Sequence, residues 1–244
     1  MLIFFLFLSG FGLFYSFCKC KSIKEFYKKR FLRIVPIYLI IAIPWYFYVD
    51  VINNNKDWLL YIGDISTLSF LYHGDRGHWY IFGILVLYLL YPLLLKSIII
   101  NKKLSILCFL LVYTIIMGIL ATFNLSFFDR INVFLMRVPS FYIGVFLGVS
   151  EDNRSISSTK LFASMAIMFL VSTIIEGLLC IKGLHYSALA RIFYTPLAIS
   201  ICFFCAWFNN ENIINSFITW IGGFSLEMYL IHMKCTSLLT AFLV

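Results

Sequence analysis

The sequence predicts an all-α protein, a polytopic integral membrane bundle of about eight transmembrane helices. Three observations lead there. First, 62% of the 244 residues are hydrophobic and only 12% are charged, where a soluble domain carries roughly 25% charged residues. So few polar side chains cannot cover a water-soluble globule, and lipid must solvate the outer surface. Second, the apolar residues fall in runs of spanning length, with no soluble domain, linker or repeat between them. Third, the net charge of +8 collects at the ends of those runs. That is the pattern of cytosolic helix ends and not of a nucleic-acid-binding surface.

Each run predicts one helix. Residues 1–17, MLIFFLFLSGFGLFYSF, lack a basic leader segment and a small-residue cleavage site, so a retained span is expected and not a signal peptide. Further spans are expected at 34–49, 78–95, 104–123, 133–149, 161–181, 188–208 and from 217 to about the end. Between the first two, Lys19, Lys21, Lys24, Lys28, Lys29, Arg30 and Arg33 face one acid, Glu25. Lys96, Lys102 and Lys103 follow the third span, and both groups fall on one side, the cytosolic side by the positive-inside rule. Asp50, Asp57, Asp64 and Asp75 oppose Lys56 and Arg76 in the segment between, which suits the outer face. This sidedness leaves Met1 outside, as expected of a translocated terminus or of a chain with a preceding helix.

The stretch SIKEFYKKRFLRI has helical periodicity, with Ile23, Tyr27, Phe31 and Ile34 on one face and Lys29, Arg30 and Arg33 crowding another. Pro36 is expected to end this segment and start the next span, leaving a short amphipathic helix at the interface. Arg30 and Arg33 project together. They are either a positive-inside anchor touching anionic lipid or a phosphate site, because guanidinium forks bind phosphate oxygens bidentately.

GHWY at 77–80 puts His78 and two aromatics at a helix end. That is an interfacial aromatic belt or a stacking platform for a sugar, with His78 supplying a hydrogen bond. Arg137 lies inside the start of the 133–149 span, where a charge must face a cavity, a partner or the interface. Glu176 and Arg191 lie towards the ends of their spans and are either interfacial or line a polar cavity. In GGFSLEMYLIH, Ser225, Tyr229 and His232 share a helical face and Glu227 lies off it. This is an interior polar stripe, either an acid–base site or a structural seam. Seven cysteines are scattered. Cys202 and Cys205 form a C-x-x-C inside an expected span, so buried apolar cysteines are expected and no metal site.

Five motifs in order resemble the acyltransferase 3 family of integral membrane O-acyltransferases, many of which O-acetylate sugars. They are SGF at 9–11, FYKKRFLRIVPIY at 26–38, HWYIFGILVLYLLYPLL at 78–94, RVPSFYIGVFLG at 137–148 and GGFSLEMYLIH at 222–232. The resemblance implies a single membrane-embedded domain over 1–244, placed in the cell membrane as a multi-pass protein. It implies acyl-CoA, typically acetyl-CoA, as donor substrate with no bound cofactor, and a cell-surface carbohydrate hydroxyl as acceptor. The RxxR pair Arg30 and Arg33, with Lys29, would bind the donor. Trp79, Arg137, Glu227, Tyr229 and His232 would line the acceptor side. The basic residue and histidine of the family's first helix have no counterpart, so a domain incomplete at both ends is expected. His78 then becomes the candidate catalytic imidazole. The rival functions are a glycan or lipid transporter, for which no repeated halves are visible, and a non-catalytic remnant of the family.

Overall fold

The protein is described here from a computed structural model, over residues 2–53, 57–74, 79–151, 158–183, 194–197, 199–201 and 229–232. Among the described residues all regular structure is helical. Five helices are long and apolar enough to cross a membrane, and Ile3–Cys18 is apolar but shorter. The chain is therefore a multi-pass membrane helix bundle.

Helix α1, Leu2–Cys18, is followed by α2, Ile23–Tyr46. Ser22 caps α2 by accepting from the Glu25 amide at 3.2 Å, while the Glu25 carboxylate accepts from the Lys21 amide at 2.8 Å, a reciprocal start close to a capping box. The separate amphipathic helix expected before Pro36 does not exist. Pro36 and Pro44 both lie inside α2. Each removes one amide from the helical ladder, but proline's fixed φ is helical, so the remaining bonds carry the helix through. The apolar face also differs from expectation. The buried row is Phe26, Ile34, Tyr38, Ala42 and Tyr46, and Ile23 is exposed. Arg30 falls in that four-residue row, midway between Phe26 and Ile34.

A π-helical turn, Phe47–Asn53, leads into the short helices α3, Trp58–Ile65, and α4, Ser69–His73. Asp57 caps α3 by accepting from the Leu60 amide at 3.0 Å. Of the acids in this segment, Asp50 and Asp64 are buried, at 1% and 7% exposure. Gly74 ends α4 at φ +68°, with the Arg130 side chain packed against its α-carbon, a position where any side chain would be strained.

Helices α5, Trp79–Ile100, and α6, Lys102–Phe123, form the next pair. Asn101 separates them and accepts from the Lys103 and Leu104 amides at 3.1 Å. The span expected at 133–149 lies within one spanning run, Leu125–Ser150, which a turn at Met136 and Arg137 divides into α7, Leu125–Leu135, and α8, Val138–Glu151. Pro139, in the first turn of α8, cannot donate to the Leu135 carbonyl, which suits the interruption. The Tyr113 hydroxyl donates to that carbonyl at 3.4 Å. Helix α9, Ser158–Ile181, matches the expected sixth span. The seventh and eighth expected spans lie mostly outside the described residues.

Helix α5 is the hub, touching α2, α6, α7 and α8, while α1 and α8 make the most extensive helix pair. That pair approaches backbone to backbone. A Cβ on Gly10 would meet the Phe141 carbonyl oxygen, one on Gly144 the Phe7 carbonyl oxygen, and one on Gly148 the Phe11 carbonyl oxygen at 2.9 Å. Small residues permit such approach in membranes, where close packing replaces the hydrophobic effect as the cohesive force. By contrast α6 and α9 bury little of their length and present leucine and isoleucine to lipid.

Candidate active site

Three helices line a half-open cavity of about 400 Å³. Helix α1 contributes Phe5, Leu8, Ser9 and Gly12, α2 contributes Arg30, Arg33 and Ile34, and α5 contributes Tyr80, Ile84 and Tyr88. The volume falls within the range of small-molecule sites. Each set repeats at three- or four-residue spacing, so each helix turns one face to the space.

The polar groups gather at one end. Ser9 Oγ and the Tyr88 hydroxyl are 2.8 Å apart. The Arg30 guanidinium lies 5.9 Å from the ring centres of both Phe26 and Tyr88. Its Nε is buried and has no hydrogen-bond partner. Arg33 lines the same space and is exposed. Beneath them Phe17, Phe26 and Tyr91 form an aromatic floor, with Phe26 and Tyr91 stacked at 5.3 Å.

Neighbouring cations of α2 leave the helix in different directions. Arg30 sits beside Tyr88, and Lys96, the first cation of the basic end of α5, lies eight residues further on, about 12 Å along the helix. The Tyr27 hydroxyl donating to the Leu89 carbonyl at 2.9 Å fixes the same register. Arg30 faces the cavity, whereas Lys29, one residue earlier on the same helix, does not line it. Lys29 is exposed and pairs with Glu25 at 2.8 Å.

The other end is aromatic. The Arg137 guanidinium stacks on the Trp79 ring at 4.7 Å and donates to the Val133 carbonyl. Arg137 thus occupies the turn between α7 and α8, not a helix interior. Trp79 is 4% exposed, so it offers no open face for a sugar. The cation takes that face, because a guanidinium in an apolar layer needs a partner and an indole is the best aromatic one. Trp79 meets Tyr80 edge-on at 5.9 Å, and Tyr80 meets Tyr229 at 5.0 Å.

Of the predicted site residues, Arg30 and Arg33 line the cavity, Trp79 and Tyr229 touch the lining residue Tyr80, and Arg137 stacks on Trp79 behind it. His232 is exposed, on a different side of its short described helix from buried Leu230. His78, Glu227, Ser225 and Arg191 lie outside the described residues. Ser9, Gly12, Tyr80 and Tyr88 are lining residues that the sequence reading passed over as site residues. Their signal was present, since Tyr80, Ile84 and Tyr88 recur every four residues and carry two polar tips within an apolar run. Among the described residues no group of three His, Cys, Asp or Glu side chains could hold a metal ion.

The acyltransferase domain family matches the chain over residues 2–244. No curated protein and no solved structure matches it. A match over nearly the whole chain settles the assignment: the chain belongs to the acyltransferase 3 family of membrane acyltransferases.

Proposed function

We propose that the protein transfers an acyl group, acetyl being the expected one, from acyl-CoA to a hydroxyl of a cell-surface carbohydrate. The observation that carries this reading is Arg30, a cation whose buried Nε lacks a partner while its side chain lines a cavity. A buried polar group without a partner is costly, and a phosphate oxygen satisfies a guanidinium bidentately. Arg33 and the Ser9–Tyr88 hydroxyl pair add donors at the same end.

The donor enters from the cytosolic, basic side and leaves its phosphates at Arg30 and Arg33. Its arm runs along Ile34 and Ile84 towards Tyr80. The cavity holds that arm and not the whole nucleotide, which stays at the mouth. The acceptor hydroxyl approaches from the far end. Its oxygen attacks the thioester carbonyl carbon, the carbon–sulfur bond breaks, and the hydroxyl proton ends on the CoA sulfur. His78 is the candidate general base for that proton.

Binding of acetyl-CoA to purified protein tests the donor site. Arg30→Ala and Arg33→Ala together should weaken it at least tenfold, which corresponds to about 1.4 kcal/mol. Equal affinity in parent and double variant would sink the phosphate role. Transfer of a labelled acetyl group to a surface glycan tests the reaction itself.

A further inference from the structure

We propose that Tyr80 is the hydrogen-bond donor to the thioester carbonyl of the bound acyl donor, a catalytic residue at the far end of the cavity. This rests on the donor reading above and on the cavity's length. Tyr80, Ile84 and Tyr88 line it along one face of α5. Eight residues separate Tyr88 from Tyr80, about 12 Å along the axis. A CoA-type donor carries its phosphates at one end of a flexible arm and its thioester at the other. That arm is equivalent to about four residues of extended chain, roughly 13 Å. Phosphates held beside Tyr88, where Arg30 sits, therefore bring the thioester level with Tyr80.

The lining supports this direction. Phe5, Leu8, Ile34 and Ile84 separate the two ends and offer nothing to a phosphate, so the charged part stays at Arg30 and the uncharged arm crosses. Tyr80 is 6% exposed. Its ring is fixed by edge-on contacts with Trp79 at 5.9 Å and Tyr229 at 5.0 Å, and the stacked Arg137 holds Trp79 in turn. The Tyr88 hydroxyl is engaged with Ser9. Among the described residues the Tyr80 hydroxyl makes no hydrogen bond, so its proton remains to be given.

As the acceptor oxygen attacks, the carbonyl oxygen gains negative charge. A donor fixed by packing favours that charged oxygen over the neutral carbonyl, which lowers the barrier. Tyr80 keeps its proton throughout and exchanges no bond of its own.

The test is infrared spectroscopy of acetyl-CoA labelled with carbon-13 at the thioester carbonyl, bound to the purified full chain in nanodiscs. In the parent the bound carbonyl stretch should lie below that of free acetyl-CoA. Tyr80→Phe keeps the ring and its packing. It should return the stretch towards the free value, leave donor affinity and melting temperature unchanged, and slow acetyl-CoA turnover roughly a hundredfold. Lys29→Ala, away from the cavity, should leave the stretch where the parent has it. A stretch unmoved by Tyr80→Phe, with donor bound normally, overturns the role of Tyr80 and leaves the donor reading intact. Failure of the parent to bind acetyl-CoA overturns both.

Discussion

The Ser9 and Tyr88 hydroxyls meet at 2.8 Å although 79 residues separate them in the chain. This bond ties α1 to α5 at the level of Arg30 and shapes the cationic end of the cavity. Ser9→Ala, Tyr88→Phe and the double variant form a cycle. The coupling between the two sites should be about 1 kcal/mol, read from reversible unfolding in mixed micelles. Additive single effects would mean that the bond contributes nothing to stability.

The α1–α8 seam makes a prediction that distinguishes one glycine from another. A Cβ on Gly144 or Gly10 meets backbone atoms of the opposite helix, and backbone cannot rotate away as a side chain can. Gly144→Ala should therefore lower stability by roughly 1–3 kcal/mol. At Gly118 and Gly177 a Cβ meets nothing within 4 Å. Alanine there should be neutral, or stabilise by up to about 1 kcal/mol through helix propensity. Equal effects at Gly144 and Gly118 would contradict the seam.

Gly12 offers a way to close the cavity without disturbing the fold. It lines the space beside Ser9, and a Cβ there meets nothing within 4 Å. Gly12→Ala should be silent. Gly12→Phe should weaken acetyl-CoA binding at least tenfold, about 1.4 kcal/mol, with the melting temperature held. Lys29→Ala is the control on charge, since Lys29 carries the same sign as Arg30 but pairs with Glu25 away from the cavity. Its donor affinity should equal that of the parent. A loss at Lys29 as large as at Arg30 would mean that net charge, not the cavity, attracts the donor.

Much of the helical layout was legible in the residues. The spans expected at 1–17, 104–123 and 161–181 correspond to α1, α6 and α9 within a few residues at either end. Two prolines have different outcomes. Pro36 was expected to divide a helix and does not, while the run that holds Pro139 turns between α7 and α8. The same residue type gives both outcomes because packing decides whether the freed carbonyl and the local bend are tolerated. At Pro139 the Tyr113 hydroxyl takes up the freed carbonyl, a partner from another helix that no local pattern announces.

The cavity was legible only in part. The RxxR pair and the Trp79, Arg137 and Tyr229 positions stood out as polar or amphipathic groups in apolar runs. That Arg137 would cover Trp79, and that Lys29 would turn away from Arg30, were matters of rotation about helix axes.

The sequence by itself determined that this is a membrane protein, where most of its helices run, and which family it resembles. A bilayer core offers no water, so every spanning segment must be apolar and must satisfy its own backbone within a helix. Composition and run length record that demand directly. Only the tertiary structure decided which face of each helix turns inward. On α5, Leu87 and Leu95 are buried while Leu89, Leu90 and Leu93 are exposed, and nothing in their chemistry separates them. Lipid is as apolar as a leucine core, so the hydrophobic pattern that marks the inner face of a soluble helix is silent here. Close packing at Gly10 and Gly144, and hydrogen bonds such as Ser9 to Tyr88, choose the faces instead, and by choosing them they set Arg30 and Tyr80 at opposite ends of one cavity.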